Sequence, residues 1–211
     1  MILNQGSIVD ASFVDVPRQR NSREENETIK TGGIPQDWQT EENAHKIAQK
    51  DTDARWTKKN SERHFGYKDH VKDDEKSKII TEYTVTDASV HDSQETEPLV
   101  DDSDKGKPLY ADSAYAGAPI AKALEKIGVE NQIHERAYRN KPLTDEQKNR
   151  NREKSKVRVR VERVFGFIEN SLGGSFIRSI GESRSAGIIE VINLTYNMFR
   201  FEQPQRFAVR T

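Results

Sequence analysis

Cysteine is absent from the 211 residues, which excludes a disulfide framework and any thiolate metal centre and agrees with a reducing compartment. Long apolar runs are missing too. The opening MILNQGSIVD lacks both the basic region and the length of a signal peptide, and nothing approaches the roughly 20 apolar residues of a membrane span. No membrane partner and a cytoplasmic location are therefore expected. Hydrophobic residues make up only 33% of the chain, no more than the charged ones, so some of it must lie outside a packed core. The length suits one domain with an irregular insertion.

Charge is what the chain has in plenty, and it is segregated. Residues 81–104 hold eight acids and no lysine or arginine, whereas residues 136–163 hold eleven basic residues against four acids. A concentrated basic run is what a phosphate-backbone partner requires, although a solvated helix face is the default reading of such a run taken alone.

The short β-branched run Ser7–Val16, ended by Pro17, reads as a strand with Asp10 on the face of Ile8 and Ser12. Residues 18–63, with ten basic residues, nine acids and a GGIP turn signal, read as a loop-rich insertion pinned to the body by Trp38 and Trp56. Next come an antiparallel pair, His64–Val71 and Ile79–Thr86, joined by a charged turn. A short helix over Ser93–Asp101, a strand Pro108–Asp112, a helix Ala116–Ile127 closed by Gly128 and a strand Val129–His134 follow. This order implies an α/β domain with a mixed sheet. The stretch SKVRVRVERVFGFIENSLGG alternates valine and arginine like a strand. At helical period, however, Val157, Val161, Val164, Phe165, Ile168 and Leu172 form one stripe with only Val159 off it. A helix is expected, starting at a Thr144–Gln147 capping box and stopping at Gly173-Gly174, with a last helix over Ser185–Phe201.

Asp10 and Asp112 each fall in a short, otherwise apolar strand, where a carboxylate is costly unless it is paired or binds a cation. Glu162 lies on a helix able to pack on that sheet. Three converging carboxylates make an all-oxygen site for Mg²⁺ or Mn²⁺, but among 35 acids one in each of two strands is also what chance supplies. His91 and Asp92 admit a metal role less readily than a turn-capping one. The glycine-rich points look like turns, and Asp73 looks like the frayed end of a strand.

The strings SIVDASFV, HFGYKDHV, TVTDASVHDS, LYADSAYAG and RNKPLTDEQKNRNREKSKVRVRVERVFGFIENS resemble, in order and over nearly the whole chain, the catalytic domain of DDE transposases of bacterial insertion sequences, in the insertion-sequence-five group. The resemblance implies a ribonuclease-H-like mixed sheet flanked by helices, forming one domain over residues 1–203, with the insertion at 18–63 and a tail at 204–211. It implies Asp10, Asp112 and Glu162 as catalytic residues and metal ligands, holding two Mg²⁺ or Mn²⁺ ions with Asp10 between them. Water would first nick the element's end, and the freed 3′-hydroxyl would then attack target DNA. The partners implied are double-stranded DNA and a second copy of the chain on that DNA, near the nucleoid. Related transposases carry Tyr-x2-Arg-x3-Glu-x6-Lys around the glutamate. Arg158 matches the arginine, one turn before Glu162 and able to grip a phosphate, while Ser155 and Glu169 stand at the tyrosine and lysine positions. Lys154, Lys156, Arg160 and Arg163 are expected along the DNA backbone. Family members usually carry a helical DNA-binding region before the first catalytic strand, and only nine residues precede Asp10. Two other readings follow: a non-catalytic remnant that binds DNA or a full-length transposase and regulates it, and a general ribonuclease-H-like nuclease.

Overall fold

A computed structural model describes residues 4–208, with side chains as far as residue 203. Strand β1 (Ser7–Asp15) is the axis of the fold. It runs antiparallel to β3 (Glu62–Asp74) along its whole length and parallel to β5 (Pro108–Tyr110), which in turn pairs in parallel with β6 (Glu130–Asn131). Strands β2 (Arg55–Lys59) and β4 (Ile80–Asp87) each pair antiparallel with β3, completing a six-stranded mixed sheet. Helices α1 (Arg23–Lys30) and α2 (His45–Gln49) lie between β1 and β2. Helices α3 (Thr96–Leu99) and α4 (Ala118–Ile127) flank β5, and the long α5 (Asp145–Leu172) and α6 (Glu182–Ala208) close the chain. This is the mixed sheet flanked by helices expected of a ribonuclease-H-like domain.

Both faces of β1 are buried, because alternate residues feed two clusters. Val9 packs with Leu99, Leu109, Tyr115 and Leu124 on the α3–α4 side. Ile8 packs with Val71, Ile80, Val161, Val164, Ile168 and Tyr196 on the α5–α6 side. Helix α5 shows why the helical period prevails over the strand-like alternation: Val161 and Val164 have no exposure, while Val159, off the stripe, is 46% exposed. Its N-terminus carries the expected capping box, Thr144 Oγ1 accepting the Gln147 N–H and Gln147 Oε1 accepting the Thr144 N–H. Gly173 ends it at φ 65°, a left-handed conformation that glycine adopts at little cost.

Several expectations require correction. The insertion is not irregular throughout. It holds α1, α2 and a 3₁₀ turn at Gln36–Gln39, and its last residues form β2 and the start of β3. Of its tryptophans only Trp38 is an anchor, buried with its indole N–H donated to Glu25; Trp56 is 46% exposed, tilted against Phe65 with Arg18 over its ring. Strand β3 continues through Lys72, Asp73 and Asp74, which sequence alone assigned to a turn. Lys72 can be buried because Asp101 and Asp104 meet its ammonium at 3.2 and 2.9 Å. The helix expected over Ser93–Asp101 is split into a 3₁₀ turn at Asp92–Glu95 and the single turn of α3. Strand β5 ends at Tyr110, so Asp112 lies just beyond it. Helix α6 extends past Phe201 to Ala208, taking in the first part of the expected tail; residues 209–211 lie outside the described residues.

Candidate active site

The parallel pairing of β1 with β5 sets Ile8 opposite Tyr110, and just beyond that last pair Asp112 lies near enough to Asp10 for their charges to interact. The carboxyl end of parallel strands is where open α/β sheets place ligands. Asp112 is fixed there as the N-cap of the 3₁₀ turn Ser113–Tyr115, its Oδ1 accepting the Ala114 N–H at 2.6 Å. Asp10 accepts the Ala11 N–H on Oδ1 at 2.9 Å and an Arg158 N–H on Oδ2 at 2.8 Å. Burial pushes the Asp10 carboxyl up to about 6; the Ala11 N–H and Arg158 pull it down, and the negative charge of Asp112 adds to the rise.

Helix α5 brings Glu162 to the same end of the sheet, but through an intermediary. Arg158, one turn earlier, donates Nη1 to Asp10 and Nη2 to Glu162 Oε1 at 3.0 Å. The Glu162 side chain is 56% exposed. Among the described residues no three acidic or histidine side chains stand together as a ready-made metal cage. Asp10 and Glu162 thus share one arginine, while Asp112 is held separately by the Ala114 N–H. The donor set nonetheless suits a hard divalent cation: every candidate ligand atom is a carboxylate oxygen, Asp10 and Asp112 lie near enough for their charges to interact, and a positive group already sits between the sheet and the helix.

A third strand brings one more residue to this end of the sheet. The Gln132 and His134 N–H groups donate to the carbonyls of Leu109 and Ala111, continuing the parallel pairing past β6 and setting His134 beside Asp112. The Ser155 hydroxyl donates to the Asn151 carbonyl at 2.8 Å, so the 3.3 Å contact between Ser155 Oγ and His134 is a hydrogen bond donated by Nε2. Burial, then the charges of Arg158 and Lys154, hold the imidazole below its ordinary value against the pull of Asp112, so it is neutral at pH 7. Nothing local in the sequence marks His134, since its place depends on register across three strands. Tyr115, whose hydroxyl is buried with no hydrogen-bond partner, lies close enough to feel Asp10, Asp92 and Asp112.

The basic residues of α5 divide into two groups. Lys154 donates to the Ile133 carbonyl at 2.9 Å, and Arg160 pairs with Glu75 at 2.8 Å, so both are turned onto the body. Lys156 is exposed in an i, i+3 pair with Glu153, and Arg163 is exposed. His91 caps the Asp92–Glu95 turn, its Nδ1 accepting the Ser93 N–H, and Asp92 pairs with Lys68 at 2.7 Å.

Comparison with known proteins adds two findings. A family model described as Transposase DDE domain matches residues 3–198. The transposase for insertion sequence element IS1106 of Neisseria meningitidis serogroup B is 34% identical over 117 residues, which is 56% of this chain and 40% of that relative. The match therefore spans well under half of the relative's length. No solved structure matches the chain.

Proposed function

This chain belongs to the transposase DDE domain family, and from that premise we propose that it cleaves and joins DNA strands by metal-dependent phosphoryl transfer at Asp10, Asp112 and Glu162. The observation that carries the reading is the nearness of Asp10 and Asp112 at the carboxyl end of the parallel strands, with Arg158 tying Glu162 to Asp10. Mg²⁺ or Mn²⁺ bound to these carboxylates would supply Lewis acidity for an in-line displacement at phosphorus. The chain's own groups do the positioning. The Ala11 and Ala114 N–H groups fix one oxygen each of Asp10 and Asp112, which sets the orientation of both carboxylates before a ligand arrives. Glu162, on the exposed flank of α5, completes the set by side-chain rotation. A neutral His134 adds a polar group beside Asp112 without adding charge. Lys156 and Arg163 attract the phosphate backbone from the outer face of α5, so DNA binding should weaken as salt rises.

The test is nicking of a supercoiled plasmid carrying the insertion sequence's ends, in the presence of Mn²⁺. Asp112→Asn removes a charged ligand and leaves the Ala114 N–H an acceptor; cleavage should fall at least about a hundredfold with folding intact. Undiminished cleavage by that variant would refute the assignment. DNA retention by the wild-type chain with no cleavage would favour the regulatory remnant instead.

A further inference from the structure

We propose that Arg158 is a displaceable counter-cation: it holds Asp10 and Glu162 where a divalent cation binds, and it leaves them when that cation arrives. The inference rests on the metal-dependent reading above and assigns the arginine a positioning role ahead of any contact with DNA.

The geometry supports exchange rather than a permanent tie. The two guanidinium nitrogens use Asp10 Oδ2 and Glu162 Oε1, oxygens that a divalent cation would also claim. The bridge spans the sheet and the helix through a single side chain. Its Glu162 end is 56% exposed and so screened by water. The guanidinium is also incompletely satisfied, because Arg158 Nε, alone of its three nitrogens, is buried with no hydrogen-bond partner. A structural arginine at a buried junction ordinarily has its donors met. A divalent ion carries twice the charge, and one such as Mg²⁺ approaches carboxylate oxygens to about 2.0–2.1 Å, closer than the 2.8 and 3.0 Å of the guanidinium contacts. Once released, the fork stands one helical turn from Glu162, free to take a phosphate in bidentate fashion. The same side chain thus neutralises the site when metal is absent and recruits substrate when metal is bound.

Calorimetric titration of the whole chain with Mn²⁺ tests this, comparing wild type with Arg158→Gln and Arg158→Lys. Arg158→Gln should bind Mn²⁺ about tenfold more tightly, since the ion no longer competes with a resident positive charge. Arg158→Lys keeps the charge without the fork and should stay close to wild type. Equal or weaker Mn²⁺ binding by folded Arg158→Gln overturns the proposal, because a merely structural arginine lowers stability without opposing the metal. A second measurement needs no variant at the site. In an Mg²⁺ titration of the wild-type chain followed by NMR, the Arg158 Nε–H signal should move in step with the Ala11 amide. A moving Ala11 amide beside an unmoved Arg158 signal again overturns the proposal. If neither signal moves and no protein binds Mn²⁺, the metal-dependent reading itself falls and takes this inference with it.

Discussion

Asp73 is the least comfortable residue in the chain. It has no exposure, faces Ile8 and Ile80 as strand partners, and neither carboxylate oxygen has a hydrogen bond. Burial pushes its carboxyl well above the ordinary range, with the charges of Asp74 and Asp10 adding to the rise, so it stays protonated where the unfolded chain would ionise. Between the unfolded value near 4 and the higher folded value, the folded state binds a proton that the unfolded state does not, so this residue lowers stability as pH rises. Asp73→Val should therefore stabilise the protein by about 1–3 kcal/mol at pH 8. The gain should shrink toward pH 4, as read from urea unfolding at both pH values; no gain at pH 8 would contradict the assignment. His70 works in the opposite direction. Burial lowers it to about 4, so its contribution is intact above about 6.5 and is lost as pH falls through 4.

At the scale of elements, the crossing of β1 and β3 depends on Gly66. Its φ is +154°, and a Cβ there would overlap the Val14 carbonyl oxygen on β1, which is backbone and cannot rotate away. Gly66→Ala should cost several kcal/mol, measured as a large fall in the denaturation midpoint; a loss under about 1 kcal/mol would show that the strands can separate locally. Elements were legible in the sequence where local pattern and tertiary burial agree. Strand β1 and helix α5 are of this kind, the latter because its apolar stripe and both caps point to one helix. Strand β2, RWTKK, is polar enough to pass for loop, and the end of β3 reads as a turn because Lys72 depends on acids 29 and 32 residues away. The site shows the same division. Asp10, Asp112 and Glu162 stand in motifs that the sequence displays, whereas the bridging position of Arg158 and the nearness of His134 arise from register and from packing over long separations.

Across the whole molecule, the charge segregation seen in the sequence is partly turned inward. Asp92 meets Lys68, and Asp101 and Asp104 meet Lys72, so the acidic stretch neutralises lysines buried in the sheet. The outer side of α5 keeps its exposed cations. Helix α6 presents Val191, Leu194 and Met198 to solvent, at 60, 58 and 65% exposure. Leu194→Glu should change the thermal midpoint of the isolated chain little, corresponding to less than about 0.5 kcal/mol; a larger loss would mean that this face is covered by another chain in solution.

The bond between Arg158 and Asp10 joins residues 148 apart, and this separation governs when the proposed site comes into being. Loop closure of that size costs entropy before any contact returns it, so such a junction forms late in folding. During synthesis, Asp10 emerges long before β5 can pair beside its strand, and longer still before α5 exists to deliver Glu162. A growing or prematurely ended chain therefore carries the first carboxylate without its partners. The proposed site is completed only when the last of its three segments docks.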